Sequence, residues 1–174
     1  MVAVTIIIPL YNKERFINRA IDSVFAQTYQ DFEIVVVDDG STDSSPEIVK
    51  SYKDSRLRLF QQSNAGPGAS RNRGVQESSS TYVAFLDADD EYSPDFLKSS
   101  INNLYKNPEC VLSVANHYRG PEKTLATTIF PFNIGIVTGS WRLAPDVRAD
   151  EMWGALIFLQ SSVVVCRRDI ILKF

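Results

Sequence analysis

Residues 33–50 read EIVVVDDGSTDSSPEIVK. An apolar, β-branched run closes on two carboxylates, Asp38 and Asp39. Gly40 and Ser41 follow with turn chemistry, and Ser45 with Pro46 offers an N-cap and a first helical position. The stretch reads as one strand–turn–helix unit. Its strand is apolar almost throughout, the pattern of a strand buried on both faces of a helix-covered parallel sheet.

The same unit recurs on either side. VAVTIIIP (2–9) is a β-branched run that ends in the polar PLYNKE, and YVAFLDA (82–88) ends in the acids of DADDEY. Between Lys13 and Gln27 the apolar residues Phe16, Ile17, Ala20, Ile21, Val24 and Phe25 form one stripe of a 3.6-residue helix. RLRLFQQ (56–62) reads as a further strand, GASRNRGVQES (68–78) as a helix entered through a glycine turn, and SPDFLKSSINNLY as a helix with Ser93 as N-cap and Pro94 behind it. The alternation predicts an α/β fold: an open, mostly parallel sheet flanked by helices. Beyond Cys110, VLSVANHY reads as a strand, GPEKTLATT as a loop, and SSVVVCRR as a strand, with RDIILKF opening a helix. Trp153 to Leu159 fits helix or strand, and Gly and Pro interrupt every pattern from Phe130 to Asp150. The 174 residues are taken as one domain, since no linker composition interrupts them.

Composition excludes several classes. The chain is 44% hydrophobic and 22% charged, with a net charge of −3. These values belong to a globular domain rather than a disordered or membrane-embedded one, and no broad basic face is expected for nucleic acid. The two cysteines, Cys110 and Cys166, have no metal spacing and suit a reduced, cytoplasmic setting. The start lacks the basic n-region of a signal peptide, and no run approaches the ~18 apolar residues of a transmembrane helix. Any membrane contact, at the cytoplasmic face, is expected to come through segments outside these residues.

In parallel α/β sheets, ligands bind outside the carboxyl ends of the strands. Three strands end here in polar residues, and together they predict an acidic crevice. Asp87 and Asp89 are two positions apart, so in extended chain both carboxylates face the same way. Such a pair suits Mg²⁺ or a similar hard cation, which takes one or two carboxylates and completes its shell with water and phosphate oxygens. Left without metal, the cluster is expected to repel a diphosphate. A lone D-x-D is common, and Asp90 and Glu91 also suit the positive end of a helix. NAGPGASRNRG lacks the lysine and spacing of a P-loop, and the lone His117 has no second His or Cys near it to make a metal site. Asp150 and Glu151 read as loop or helix-start charges.

The order and spacing of VTIIIPLYNKERFINRAIDSVFAQTYQDFEIVVVDDGSTDSS, NAGPGASRNRG and YVAFLDADDEYSPDF closely resemble the family 2 inverting glycosyltransferases of the A-type, nucleotide-diphospho-sugar transferase fold. The match covers roughly residues 3 to 115, the donor-binding part, with a partial acceptor-side part from about 116 to 174. The resemblance implies transfer of a sugar from a nucleotide diphosphate, usually a UDP-sugar, to a hydroxyl acceptor with Mg²⁺ or Mn²⁺, in cell-surface polysaccharide or glycan synthesis. It places Pro9, Leu10 and Tyr11 along the nucleotide base with Glu14 near it, and gives Asp39 a hydrogen bond to the base. Gly66 and Arg71 would lie over the nucleotide, Asp87 and Ala88 against ribose and diphosphate, and Asp89 would be the chief metal ligand, with Asp87 beside it. In the family the general base is an acid that follows a strand like SSVVVCRRDIIL. The chain ends at Phe174 before that point, so the base is expected beyond Phe174 and the chain is expected to be C-terminally truncated. A fragment that binds UDP or a UDP-sugar without turnover is the alternative. A sugar nucleotidyltransferase would carry a Gly-rich basic loop after the first strand, which PLYNKERF does not supply.

Overall fold

In a computed structural model of the protein, residues 2–115, 117–119, 124–126 and 164–173 are described. Four strands run parallel: β1 (Val4–Leu10), β2 (Phe32–Asp38), β3 (Leu57–Gln61) and β4 (Tyr82–Phe85). They join β5 (Leu112–Val114) and β8 (Val164–Arg167) in a six-stranded sheet of order β3-β2-β1-β4-β8-β5. β8 runs antiparallel to both β4 and β5. A separate antiparallel pair is formed by β6 (His117–Arg119) and β7 (Thr124–Ala126). The helices are α1 (Ile17–Phe25), α2 (Ser45–Ser51), α3 (Pro67–Glu77), α4 (Phe96–Lys106) and α5 (Arg168–Ile171). The expected α/β, mostly parallel, helix-flanked sheet is therefore what forms.

β1 lies at the centre of the parallel part, and both its faces are covered. Val4, Ile6, Ile8 and Leu10 enter one core with Ile17, Ala20, Ile21 and Val24 of α1 and with Leu97, Ile101 and Leu104 of α4. On the opposite face Ile7 packs with Val75 of α3 and with Val83 and Phe85 of β4. Thr5 shares the Ile7 face, fully buried, and its hydroxyl is satisfied by Glu33 at 2.7 Å and Ser80 at 2.6 Å. Gly74 lets α3 approach β1 closely, because a Cβ there would lie 2.3 Å from Ile7 Cγ2.

Several boundaries differ from the sequence expectation, each for a local reason. α1 begins at Ile17 rather than Lys13, because the Lys13 carbonyl first accepts the Phe16 and Ile17 amides in a turn. Phe16 thereby leaves the stripe and is 38% exposed. α2 has Ser44 at its N-cap, not Ser45; the Ser45 hydroxyl instead accepts from the Lys13 amide at 2.9 Å. α4 starts at Phe96, with Asp95 rather than Ser93 at its N-cap. No cap side chain serves that start; the buried Gln27 does so from another helix end, its Oε1 accepting from the Leu97 amide at 3.0 Å and its Nε2 donating to the Ser93 carbonyl at 2.7 Å. The strand expected over VLSVANHY is broken into β5 and β6, and β7 occupies part of the expected GPEKTLATT loop, where its partner β6 satisfies the backbone. Trp153–Leu159, Asp150 and Glu151 lie outside the described residues.

Candidate functional site

The carboxyl ends of β1, β2 and β4 meet at one edge of the sheet. Leu10 is in register with Asp38, the Asp39 amide donates to the Leu10 carbonyl at 2.8 Å, and the Leu86 amide donates to the Ile7 carbonyl at 3.0 Å. A cleft of about 470 Å³ opens there. It is lined by Pro9, Leu10, Tyr11, Asp39, Gly66, Arg71, Asp87, Ala88 and Asp89, nine of the ten residues singled out in the sequence. Leu10 and Ala88 are buried floor, whereas Tyr11 is 48% exposed and presents its ring at the rim. Glu14, the tenth, is not among the lining residues. Its carboxylate accepts from the Ser44 amide at 3.1 Å and its own amide donates to Asp43 at 3.0 Å, so it ties the loop after β1 to the loop before α2. Lys13, Asn64, Pro67 and Ser70 also line the cleft without having been singled out. The signal for Lys13 was present, one position before Glu14 in PLYNKE, but nothing in the sequence shows which acid it reaches.

Asp39 is buried at the cleft wall. Its Oδ1 accepts from Gln62 Nε2 at 2.8 Å and from the Ala65 amide at 2.9 Å, and its Oδ2 accepts from the Gly66 amide at 2.8 Å. Burial pushes the carboxyl up, but these hydrogen bonds, with help from Ser70, outweigh burial and hold it below the usual carboxylate range. Three bonds take up most of the roughly four acceptor directions of a carboxylate. Asp39 thus fixes the 64–66 loop that leads into α3. Gly66 caps that helix with φ of +89°, a left-handed backbone that suits glycine.

The acids after β4 do not sit in extended chain. The strand stops at Phe85, and Asp87 to Asp90 form a turn closed by the Asp90 amide on the Asp87 carbonyl at 2.9 Å. The two acids are thus carried on a turn rather than on extended chain, and both line the cleft. Nor is the cluster bare. Arg71 of α3 meets Asp87 at 2.6 Å, Lys13 meets Asp89 at 2.6 Å, and Arg19 of α1 pairs with Glu91. Cations from three separate elements offset the crowded carboxylates, so local repulsion is relieved in the protein itself.

No group of three or more His, Cys, Asp or Glu side chains forms a metal centre among the described residues. Asp87 and Asp89 nevertheless suit a hard cation: both carry oxygen donors, both line the cleft, and their side chains are 31% and 44% exposed. Such a pair fits a cation that shares its shell with water and phosphate rather than one caged wholly by protein.

The model of the family described as Glycosyl transferase family 2 matches residues 5–171. The chain belongs to that family. As a family 2 chain it resembles glycosyltransferase GlyA of Streptococcus pneumoniae, with 39% identity over 117 residues, 66% of this chain and 17% of GlyA. An uncharacterized glycosyltransferase of Haemophilus influenzae is 41% identical over 110 residues, 62% of this chain and 44% of that protein. Among solved structures, S. aureus TarS 1-349 in complex with UDP-GlcNAc aligns at a TM-score of 0.75 and 24% identity, over 98% of this chain and 47% of that one. The mannosyltransferase PcManGT from Pyrobaculum calidifontis, in complex with GDP-Man and Mn2+, aligns at 0.69 and 19%, over 99% and 46%. At these identities the structures share the fold. The family 2 chain spans less than half the length of each of these four proteins. No helix among its described residues is long and apolar enough to cross a membrane.

Proposed function

We propose that the cleft binds a nucleotide diphospho-sugar, a UDP-sugar in particular, and that the protein transfers the sugar with inversion to a hydroxyl acceptor in polysaccharide or glycan synthesis. One observation carries this reading: residues from four separated stretches of sequence, around Pro9, Asp39, Gly66 and Asp87, line a single cleft at the carboxyl edge of a parallel sheet. Its size lies in the range of small-ligand pockets, ~300–1,000 Å³. UDP-GlcNAc bound to TarS and GDP-Man with Mn2+ bound to PcManGT support the same class of ligand on this fold.

In this reading Tyr11 offers a ring face to the nucleotide base, beside the Asp39-held loop, while Arg71 and Lys13 face the diphosphate. Asp87 and Asp89 would hold Mg²⁺ or Mn²⁺, which when bound offsets the charge of the departing diphosphate. The walls of the cleft hold the donor in one orientation, and that placement contributes to rate because a positioned reactant has already lost its rotational freedom.

Calorimetric titration of UDP into wild type and Asp89→Asn, each with Mn²⁺ and with chelator, tests the reading. UDP affinity should rise with Mn²⁺ in wild type, and the rise should be blunted in Asp89→Asn. Equal metal dependence in both proteins removes Asp89 from the site, and no UDP binding under any condition overturns the proposal. Release of UDP from a UDP-sugar then separates transfer from binding without turnover.

A further inference from the structure

The Lys13 ammonium meets Asp89 Oδ2 at 2.6 Å, across 76 positions of sequence. The backbone under it is held firmly. Asn12 adopts φ of +51°, left-handed backbone that asparagine tolerates better than most residues. Its amide donates to Ser41 Oγ at 3.0 Å, its Oδ1 accepts from the Thr42 amide at 2.8 Å, and the Lys13 amide donates to Ser45 Oγ. The loop after β1 is thus clamped to the loop before α2, and the Lys13 side chain extends from that clamp to the acid.

An ammonium seated on Asp89 Oδ2 occupies one of that oxygen's lone-pair directions and places a positive charge where a metal would sit. A divalent cation at Asp89 therefore competes with Lys13, since two positive charges a few ångströms apart on one carboxylate repel each other. The pair is partly exposed, with side chains 38% and 44% accessible, so displacement costs little. The ammonium also lines the cleft, and once released it carries the sign that attracts a diphosphate. We propose that Lys13 is the resident counter-ion of Asp89, displaced by a divalent cation, so that the cleft favours metal together with a nucleoside diphosphate over metal alone. This rests on the donor-cleft reading above. It makes Lys13 a positioning residue that acts with opposite sign on the two ligands.

Lys13→Met keeps an unbranched stem, one atom shorter, and the main-chain hydrogen bonds while removing the charge. Mn²⁺ titrated without nucleotide, with free ion counted by electron paramagnetic resonance, should bind Lys13→Met about 2- to 5-fold more tightly than wild type. UDP in saturating Mn²⁺ should bind it about 3- to 10-fold more weakly, the worth of an ordinary net hydrogen bond at this partly exposed position. Lys13→Arg should keep both affinities near wild type. A purely structural Lys13 would change thermal stability and move both affinities in the same direction. Unchanged or weaker Mn²⁺ binding in Lys13→Met, including binding too weak to resolve in both proteins, overturns the counter-ion role. If Mn²⁺ fails to raise UDP affinity in wild type, the donor-cleft reading fails as well. If wild type responds and Lys13→Met responds equally, the counter-ion role alone falls.

Discussion

Asp39→Ala removes the acceptor of three hydrogen bonds, from Gln62, Ala65 and Gly66 at 2.8–2.9 Å. The Gln62 amide can turn to other partners, and it already lies 3.4 Å from Ser70 Oγ. The Ala65 and Gly66 backbone amides cannot turn, because Gly66 is committed to the N-cap of α3 with a left-handed φ. Each stranded donor costs ~1–3 kcal/mol. The cleft is open beside them and water can enter, which favours the lower half of that range. The expected loss is therefore about 2–4 kcal/mol of stability. For a chain of this size that corresponds to a fall in Tm of about 4–16 °C. Asp39→Asn should rescue only part of the loss, because its amide oxygen at Oδ1 still accepts from Ala65 while the amide nitrogen at Oδ2 faces the Gly66 donor. The assay is urea unfolding of wild type, Asp39→Ala and Asp39→Asn, followed by UDP titration of the folded proteins. UDP affinity should fall in step with stability, since the same carboxylate holds the loop that lines the cleft. Wild-type stability in Asp39→Ala would refute the loop-holding role. Full stability loss with unchanged UDP affinity would show that the loop does not shape the nucleotide site.

Gly74→Ala places a methyl 2.3 Å from Ile7 Cγ2 and 3.1 Å from Cγ1, on a fully buried, β-branched side chain of the central strand that cannot swing away. Chemical denaturation should show a loss of ~1–3 kcal/mol from overpacking, and none would mean that α3 can slide on β1. Gln27→Ala strips α4 of its borrowed cap and strands the Leu97 amide, while the Ser93 carbonyl keeps the Phe96 amide at 3.0 Å; a cost of ~1–3 kcal/mol is expected in the same assay, and hydrogen exchange should report it at the start of α4. Asp54 is held down to about 2, first by the Arg56 guanidinium and then by the Arg56 amide. A carboxyl lowered in the folded state contributes stability that is complete above its unfolded value of ~3.9 and is lost as pH falls through about 2. Asp54→Asn should therefore flatten the decline of the urea midpoint between those two pH values, and an unchanged slope would exclude this contribution.

Much of the fold was legible because its signals are local. VTIIIPL, FEIVVVD and YVAF are β-branched or apolar runs whose faces are both buried, and a strand buried on both sides needs no partner to announce itself. Gly40 after β2 and Gly66 between β3 and α3 mark where the chain leaves the sheet. The strand-end rule, which applies to any parallel sheet, pointed to the polar ends after β1, β2 and β4, whereas the individual roles of Pro9, Leu10, Tyr11, Gly66, Arg71 and Ala88 came from the resemblance to family 2 glycosyltransferases.

The sequence by itself thus determined where strands, turns and helical stripes fall and which ends carry polar chemistry, since backbone sterics and burial periodicity act within a few residues. Tertiary structure alone decided the partners. That β8 inserts between β4 and β5 with reversed direction follows from pairing across some 80 residues, to which local propensity is blind. The capping of α4 by Gln27, the locking of the 64–66 loop by Asp39, and the neutralisation of Asp87 by Arg71 and of Asp89 by Lys13 are likewise long-range. A charge or hydrogen-bonding group in a sequence states what it can satisfy. Which group it does satisfy depends on the few ångströms over which such bonds act, and those distances exist only once the chain has packed.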